Sequence, residues 1–329
     1  LVQLPYSAWG AEISSDYYER SHISAAREGF VVVGTLLAAG LPALLTNDPR
    51  ESMAVIGWLI VVLLPLAVAT AVIVVPESRA LERRALGWRQ GLSVLYQNRP
   101  FRRLLAAYFL NSIANGLPAT LFLLFVGHVL QAADWAGPLL FIYFACGVAG
   151  IPLWLKLSAA WGKHRAWIAA MSVNTAIFAL VPLLGAGDQW WFLAICIATG
   201  IALGADLTLP ASMQADVVDL DTLKSGRQRT GIYFALWGIV TKLALALAVG
   251  ISFPLLELSG FQAEAARQSP QALLTLALLY SLVPAAFKLG AIAVFAGYPI
   301  TADRQRRIRR LITARQRGAM PRGSEGALP

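Results

Sequence analysis

The dominant pattern along the chain is a series of apolar stretches separated by short islands of charged residues. Each stretch has about 20 residues, the length that a helix needs to cross roughly 30 Å of hydrocarbon. Apolar and polar positions do not alternate within them, as they would in the strands of a membrane barrel. The pattern therefore predicts a helical membrane protein with eight complete spans, at 29–46, 53–75, 104–129, 135–156, 166–186, 189–210, 231–256 and 272–298.

The charges of the connecting segments support this layout. The segments 11–28, 76–103, 156–165, 211–230 and 299–329 contain 23 of the 27 Lys and Arg residues, and the alternate loops contain 2. Lys and Arg accumulate in the cytoplasmic loops of membrane proteins. The distribution predicts a multi-pass protein of the cell inner membrane with a cytoplasmic C-terminus.

Composition narrows the class of protein. The chain is 57% hydrophobic and 14% charged, whereas soluble domains have about 25% charged residues. The net charge of +9 is concentrated beside the spans and in the tail, which fits lipid headgroups rather than nucleic acid as the partner. The three histidines, His22, His128 and His164, have no metal-ligand spacing. We therefore expect no enzyme activity and no cofactor.

The long basic segment 76–103 divides the chain, with two complete spans before it and six after it. This arrangement suits a transporter built from two similar halves. It predicts the remainder of an N-terminal bundle at 1–75, a cytoplasmic central loop at 76–103, a six-helix C-terminal bundle at 104–298 and a basic cytoplasmic tail at 299–329. Residues 1–10 look like the end of a ninth helix, so we expect the chain to be truncated at its N-terminus.

Two segments carry a more specific signal. The first runs Pro5-Tyr-Ser-Ala-Trp-Gly-Ala-Glu12, continues with Asp16-Tyr-Tyr-Glu-Arg20 and ends at Arg27. The second runs Ala215-Asp-Val-Val-Asp219 and continues to Gly231-Ile-Tyr-Phe-Ala235, with Lys242 in the following helix. Together they resemble the glycoside-pentoside-hexuronide:cation symporters, the melibiose-permease-like branch of the major facilitator superfamily.

The resemblance implies an all-α integral membrane fold in which this chain supplies family helices 4–12. It also implies a monomeric secondary transporter that moves a sugar, glycoside or related polar solute together with H⁺ or Na⁺ by alternating access. Gln3 stands where sodium-coupled members have an acid, which favours protons. Two alternatives stay open, an exporter or carrier of amphipathic or lipid-like solutes and a truncated remnant that does not transport.

Three charges lie inside the spans, where a charge at the centre of a membrane helix is costly and needs a reason, and two of them, Lys242 and Asp206, are candidates for coupling. Lys242 lies 11 residues into its predicted span, about 17 Å at the rise of an α-helix. The resemblance places it at a lysine near the cation site. Asp206 is expected either to pair with Lys242 or to carry a proton, or else to form a polar contact between helices. Lys288 is expected to extend its ammonium group to the membrane surface.

Four residues are candidates for substrate binding. Asn111 and Asn115 share one helix face, where they would bind sugar hydroxyls or bond neighbouring helices. Trp237 would stack on a sugar ring or pack in the bundle. The resemblance places Arg27 at an arginine that contacts substrate, and a membrane-surface anchor is the alternative.

A third group is expected to form a cytoplasmic gate, in which opposite charges on the two halves pair when this side is closed. An ordinary solvated loop is the alternative, since exposed ion pairs contribute little. Gly162-Lys-His-Arg165 looks like the tight turn found in both halves of facilitators, but it lacks the usual preceding acid. The predicted gate residues are Asp16, Glu19, Arg20, Asp216, Asp219, Asp221 and Arg227.

Overall fold

A computed structural model describes residues 17–45, 48–74, 96, 98–225, 230–263, 265, 267–300 and 302–316. Over these residues the chain forms ten α-helices and no strand. Short 3-10 or π turns lie at Phe125–Val129, Ala133–Trp135 and Val181–Leu183. The helices are α1 (Tyr17–Leu45), α2 (Pro49–Val74), α3 (Arg99–Leu124), α4 (Ala136–Trp161), α5 (Lys163–Phe178), α6 (Gln189–Ser225), α7 (Thr230–Leu258), α8 (Pro270–Tyr280), α9 (Leu282–Phe295) and α10 (Ala302–Gln316).

Seven segments of the described part are long and apolar enough to cross a membrane. They coincide with seven of the eight predicted spans, and the remaining one, 29–46, lies largely in α1. The all-α membrane fold is thus confirmed. The proposed ninth helix at 1–10 and residues 76–95 of the central loop lie outside the described residues.

Three helices extend into segments that the sequence pattern assigned to loops or to the tail. α1 begins at Tyr17, ahead of the predicted span, and α6 continues to Ser225, 15 residues beyond its predicted end at 210. α10 lies within the predicted tail. Backbone hydrogen bonding continues past the apolar stretch because a helix does not need lipid around it. As a result, Arg20, Asp216 and Asp219 are held on rigid helices rather than on loops.

Glycines bring α4 and α6 into backbone contact. A Cβ added at Gly200 would lie 2.5 Å from the carbonyl oxygen of Tyr143, and one at Gly204 would lie 2.8 Å from that of Gly147. The indole Nε1 of Trp154 donates to the carbonyl oxygen of Ile201 at 2.7 Å. Small residues allow membrane helices to pack this closely. The contact fixes α6, which carries most of the buried acids.

The last predicted span, 272–298, consists of two helices with a break at Ser281. The Ser281 hydroxyl, which is fully buried, donates to the carbonyl oxygen of Ala277 at 2.5 Å. Pro284 follows three residues later; it has no N–H to donate, and its ring clashes with the carbonyl four residues before it. The break is therefore encoded by Pro284, and α9 begins as a separate short segment.

The main apolar core lies between α3, α5, α6 and α9, and the ends of α1 and α10 pack against α6. Ile308 and Ile312 of α10 are buried in that core. Two polar clusters interrupt the apolar packing, one in the middle of the bundle and one at its Arg20 end.

Candidate functional site

The mid-bundle cluster consists of the carboxylate of Asp206 and four buried or half-buried residues around it: Asn111, Asn115, Trp167 and Lys288. Oδ1 of Asp206 accepts from Nε1 of Trp167 at 2.6 Å and from Nδ2 of Asn111 at 3.1 Å. Oδ2 accepts from Nδ2 of Asn115 at 3.1 Å and from Nζ of Lys288 at 3.4 Å. Four helices, α3, α5, α6 and α9, thus meet at Asp206.

Lys288 makes its shorter contact with an amide rather than with the acid. Its Nζ donates to Oδ1 of Asn111 at 2.8 Å. The side chains of Lys288 and Asp206 are 4% and 9% exposed, so neither charge is in contact with bulk water. The two charges cancel, and every polar contact is made within the bundle.

This arrangement corrects the expected roles of the two intramembrane lysines. Lys288 does not extend to the membrane surface, because α9 packs against α3 and α5 and directs the side chain inward. Lys242 is exposed on α7, and within the described residues Asp206 pairs with Lys288 and not with Lys242. Coupling by Lys242 stays a prediction.

The two asparagines use their amide groups inside the bundle. Asn111 is 2% exposed and bonds through both its oxygen and its nitrogen, and Asn115 donates to Asp206. These are contacts between helices, the alternative to sugar binding. Binding of substrate by either amide stays a prediction.

Trp237 is half-buried and has one ring face covered. The rings of Trp237 and Tyr108 stack with their centroids 3.8 Å apart, and the Tyr108 hydroxyl lies 3.0 Å from the hydroxyl of Thr241. The pair joins α3 to α7, so any solute that stacks on Trp237 must use its other face.

The end cluster is formed by Arg20, Lys163, Asp216, Asp219 and Gln305. The guanidinium group of Arg20 holds both oxygens of Asp219, from Nη1 to Oδ2 at 2.5 Å and from Nη2 to Oδ1 at 3.1 Å. Its Nη1 also lies 3.7 Å from Asp216. Lys163 donates to the other oxygen of Asp216 at 2.8 Å. All four charged side chains are less than one-tenth exposed.

Two further contacts join helices at this end of the molecule. Gln305 of α10 donates to Asp219 at 2.7 Å, and the hydroxyls of Ser21 and Ser212 are 2.9 Å apart. Arg20 and Ser21 belong to α1, whereas the acids and Ser212 belong to α6. Asp216 follows Asp206 by ten residues on α6, about 15 Å at the rise of an α-helix. The end cluster thus lies roughly half a membrane thickness from the mid-bundle cluster.

The sequence pattern predicted Arg20, Asp216 and Asp219 together, and the structure brings them together. It did not predict Lys163 or Gln305. The turn at Gly162 lacks the acid that usually precedes it, but Lys163 pairs with Asp216, which lies 53 residues later in the chain, on α6. The signal for Gln305 was the helical spacing of Gln305, Ile308 and Ile312, which share a face.

The other predicted residues fall elsewhere. Asp221 is buried near the end of α6, and Glu19 is exposed on α1. Arg27 pairs with its neighbour Glu28, Nη2 to Oε1 at 2.7 Å, and is half-buried. Asp16 and Arg227 lie outside the described residues.

Comparison with known proteins gives a family match. Residues 1–302 match the family described as MFS/sugar transport protein. A sphingosine-1-phosphate transporter, MFSD2B, from Xenopus tropicalis is 24% identical over 91% of this chain and 65% of its own length. The human sodium-dependent lysophosphatidylcholine symporter 1 is 25% identical over 94% of this chain and 64% of its own length. The chain therefore spans slightly less than two-thirds of these relatives.

A solved structure shares the fold. A bacterial homologue of the iron transporter ferroportin in an outward-facing state superimposes with a TM-score of 0.61 over 88% of this chain and 67% of its own. Its sequence is 15% identical. The likeness concerns the arrangement of helices alone.

Proposed function

The chain belongs to the MFS/sugar transport protein family, and we propose that it acts as a cation-coupled symporter for an amphipathic, lipid-like solute. The relatives above are named for lysophosphatidylcholine and sphingosine-1-phosphate, two single-chain lipids with phosphate-bearing headgroups. The proposal therefore favours the lipid-like alternative over the sugar expected from the melibiose-permease resemblance.

The observation that carries the proposal of alternating access is the end cluster. It joins α1, assigned to the N-terminal half, to α5, α6 and α10 on the other side through charges that are removed from water. Buried ion pairs depend strongly on both partners, because a single remaining charge has no compensation. Such a cluster is stable when the two halves meet and unfavourable when they part without water. It therefore behaves as a two-state contact, closed in this structure, and we propose that it is the cytoplasmic gate.

The side chains expected to bind sugar support the same choice of solute. Both asparagine amides are engaged with Asp206 or Lys288, and one face of Trp237 lies against Tyr108. A sugar site needs several free hydrogen-bonding groups because each hydroxyl must be satisfied. An acyl chain needs only apolar surface, which the helices of this bundle offer in abundance.

We propose Na⁺ as the coupling ion. The human relative is named as sodium-dependent, which outweighs the single glutamine at position 3 that favours protons. Among the acids of the described residues whose side chains are removed from water, Asp206 lies closest to the middle of its predicted span, whereas Asp216, Asp219 and Asp221 lie towards the end of α6.

Transport by the purified protein tests this function. The protein, expressed from its complete reading frame, is reconstituted in proteoliposomes and supplied with radiolabelled lysophosphatidylcholine or melibiose. Albumin extraction removes lipid from the outer leaflet, and a Na⁺ gradient is compared with choline and with a proton gradient. We expect Na⁺-driven accumulation of the lysolipid.

The other outcomes are equally informative. Accumulation of melibiose without the lysolipid would restore the sugar symporter, and proton-driven uptake would change the coupling ion. Uptake of neither solute above the level of empty liposomes would contradict transport of both classes. The Glu257→Gln variant serves as a control, because Glu257 is exposed at the opposite end of α7 from the gate.

A further inference from the structure

Arginines cluster at the corner of the molecule where α3 begins and α9 is followed by α10, and the proposed transport cycle uses none of them. Residues 99–103 and 302–310 together contain eight arginines and one acid, Asp303. Four of these arginines, all exposed, form what we call the arginine corner: Arg99, Arg102, Arg103 and Arg304. This edge of the molecule therefore presents a concentrated positive charge.

The first turn of α3 places three of these arginines on one face. At the spacing of an α-helix, Arg99, Arg102 and Arg103 fall within about 100° of the helix circumference. Pro100 and Phe101, which lie between them in the chain, are buried on the other side. Within the described residues, no carboxylate forms an ion pair with any of the three arginines. The repulsion among their charges is therefore not relieved by this part of the protein.

The contacts of the arginine corner attach it to the connection between α9 and α10. Arg103 donates to the carbonyl oxygen of Gly297, and a Cβ added at Gly297 would lie 2.6 Å from Nη1 of this arginine. Arg304 donates to the carbonyl oxygen of Pro299 at 3.2 Å. The next residue of α10 is Gln305, which belongs to the end cluster. The arginine corner is thus one residue away from the contact that α10 makes with the proposed gate.

The arginine corner lies at the level of the lipid headgroups. The predicted spans begin at residue 104 on α3 and end at residue 298 after α9, so the corner lies where both leave the hydrocarbon. Tyr96 is exposed beside it, and Cζ of Arg102 lies 4.6 Å from the centre of the Tyr96 ring. Tyrosine is enriched where a membrane meets water. The distribution of loop charge predicts that this is the cytoplasmic side.

An anionic phospholipid has the chemistry that fits this corner. Its phosphate accepts two parallel hydrogen bonds from the fork of a guanidinium group, and its negative charge relieves the repulsion among neighbouring cations. Basic residues beside a span attract the anionic lipids of the cytoplasmic leaflet. The exposed side chains of Leu289 and Val294 on α9 continue from the corner into the hydrocarbon, where acyl chains pack against them. A free phosphate ion would leave this apolar surface unused.

We infer that the arginine corner binds the headgroup of an anionic phospholipid and that the bound lipid stabilises the closed gate. The phosphate holds Arg103 and Arg304 together, and these two residues hold the connection between α9 and α10. In that position α10 keeps Gln305 against Asp219. The effect on the gate rests on the proposed function, whereas the lipid site does not. Closure of the gate is thereby coupled to the composition of the membrane.

Retention of lipid tests the site. The protein, expressed from its complete reading frame, is titrated with phosphatidylglycerol or phosphatidylcholine, and bound lipids are counted by native mass spectrometry. Arg99→Gln/Arg102→Gln changes two members of the corner, and Lys156→Gln/Arg165→Gln removes the same charge from another segment of the same predicted side. The affinity for phosphatidylglycerol should fall about 30-fold in the first variant, as expected for two basic residues at an anionic surface, and should be kept in the second. Equal affinities in the two variants would overturn the site.

Labelling of a buried cysteine tests the coupling to the gate. Ser212 is fully buried, so Ser212→Cys, in a chain without its native cysteines, reacts with an impermeant maleimide only when the gate opens. In nanodiscs, phosphatidylglycerol should slow this labelling about tenfold relative to phosphatidylcholine, a typical size for coupling between two sites. Arg99→Gln/Arg102→Gln should lose most of the effect. The comparison of lipids needs no change in the corner, so it stands even if that variant does not fold. Labelling that ignores lipid composition, or that inorganic phosphate slows equally, would overturn the inference.

Failure of the inference and failure of the proposed function give different results. If Asp219→Asn opens the gate but lipid composition does not affect labelling, the inference alone is overturned. If the corner retains phosphatidylglycerol but Asp219→Asn leaves labelling unchanged, the proposed gate is overturned and the lipid site is kept without its effect on the gate.

Discussion

Removing one partner of the bidentate pair between Arg20 and Asp219 should open the gate. In Asp219→Asn the guanidinium group of Arg20 stays buried but no longer has the negative charge of Asp219 as its partner. Asp216 remains 3.7 Å away. Breaking a buried ion pair by removing one partner costs roughly 3–5 kcal/mol. Because Asp216 compensates in part, we take the lower value, and about 3 kcal/mol shifts the closed–open equilibrium ~100-fold.

Accessibility of a single cysteine measures that shift. Ser212 is fully buried and faces Ser21 behind the gate charges, so Ser212→Cys is a conservative reporter. The native thiols of Cys146 and Cys196 are first removed. The rate at which a membrane-impermeant maleimide labels Cys at 212 should rise ~100-fold in Asp219→Asn, provided that opening limits the reaction.

Two further variants serve as controls in this labelling experiment. Glu257→Gln removes an exposed acid from the other end of the bundle and should leave labelling unchanged. Asp219→Glu keeps the charge and should recover most of the protection. If folded Asp219→Asn protein is labelled at the rate of the parent, the pair does not hold the two halves together and the proposed gate is wrong.

Three further predictions concern stability and the end cluster. Gly200→Ala should lower the free energy of unfolding by about 1–3 kcal/mol because the added Cβ would meet the backbone of α4. Gly34→Ala adds its Cβ in open space and should have little effect, and thermal unfolding in detergent measures both variants. Without Na⁺, Lys288→Met should lower the free energy of unfolding by about 3 kcal/mol or more because the charge of Asp206 is left uncompensated, whereas Lys242→Met should lower it by less than about 1 kcal/mol. The reverse order of stability would contradict the pairing of Lys288 with Asp206. Gln305→Ala removes a hydrogen bond to a charged group and should weaken the gate by about 1.5–3 kcal/mol, seen as faster cysteine labelling at position 212.

Hydropathy and loop charge predicted the spans because crossing a membrane constrains length and composition directly. They could not predict which way a span faces. α7 and α9 are apolar on all sides, so neither has a polar stripe that would reveal its rotation. The sequence predicts that Lys288 extends to the membrane surface, but its side chain is buried, whereas that of Lys242 is exposed. Only packing against α3 and α5 distinguishes the buried lysine from the exposed one.

The end cluster shows a different limit. Arg20 and Asp219 could be predicted as members of one gate because the resemblance supplied the two motifs that contain them, although it did not specify which charges pair. Lys163 was missed because its acid is on another helix and not beside it in the chain. The helix α10 was called a tail because its arginines dominate its composition, although Gln305, Ile308 and Ile312 follow a helical period. The helical spacing of these three residues predicts the helix α10, in spite of the arginines around them.

The ion pair between Arg20 and Asp219 also has a consequence for the synthesis of the protein. Arg20 and Asp219 are 199 residues apart, so at ~5–20 residues per second the ribosome adds the acid about 10–40 s after the arginine. During that interval α1 has emerged without the helix that neutralises it. Gln305 arrives later still. The contact between α1 and α6 can therefore form only after α6 has been synthesised, and a nascent chain stalled before Asp219 should present Arg20 to any quality-control factor that recognises an uncompensated charge at a membrane surface.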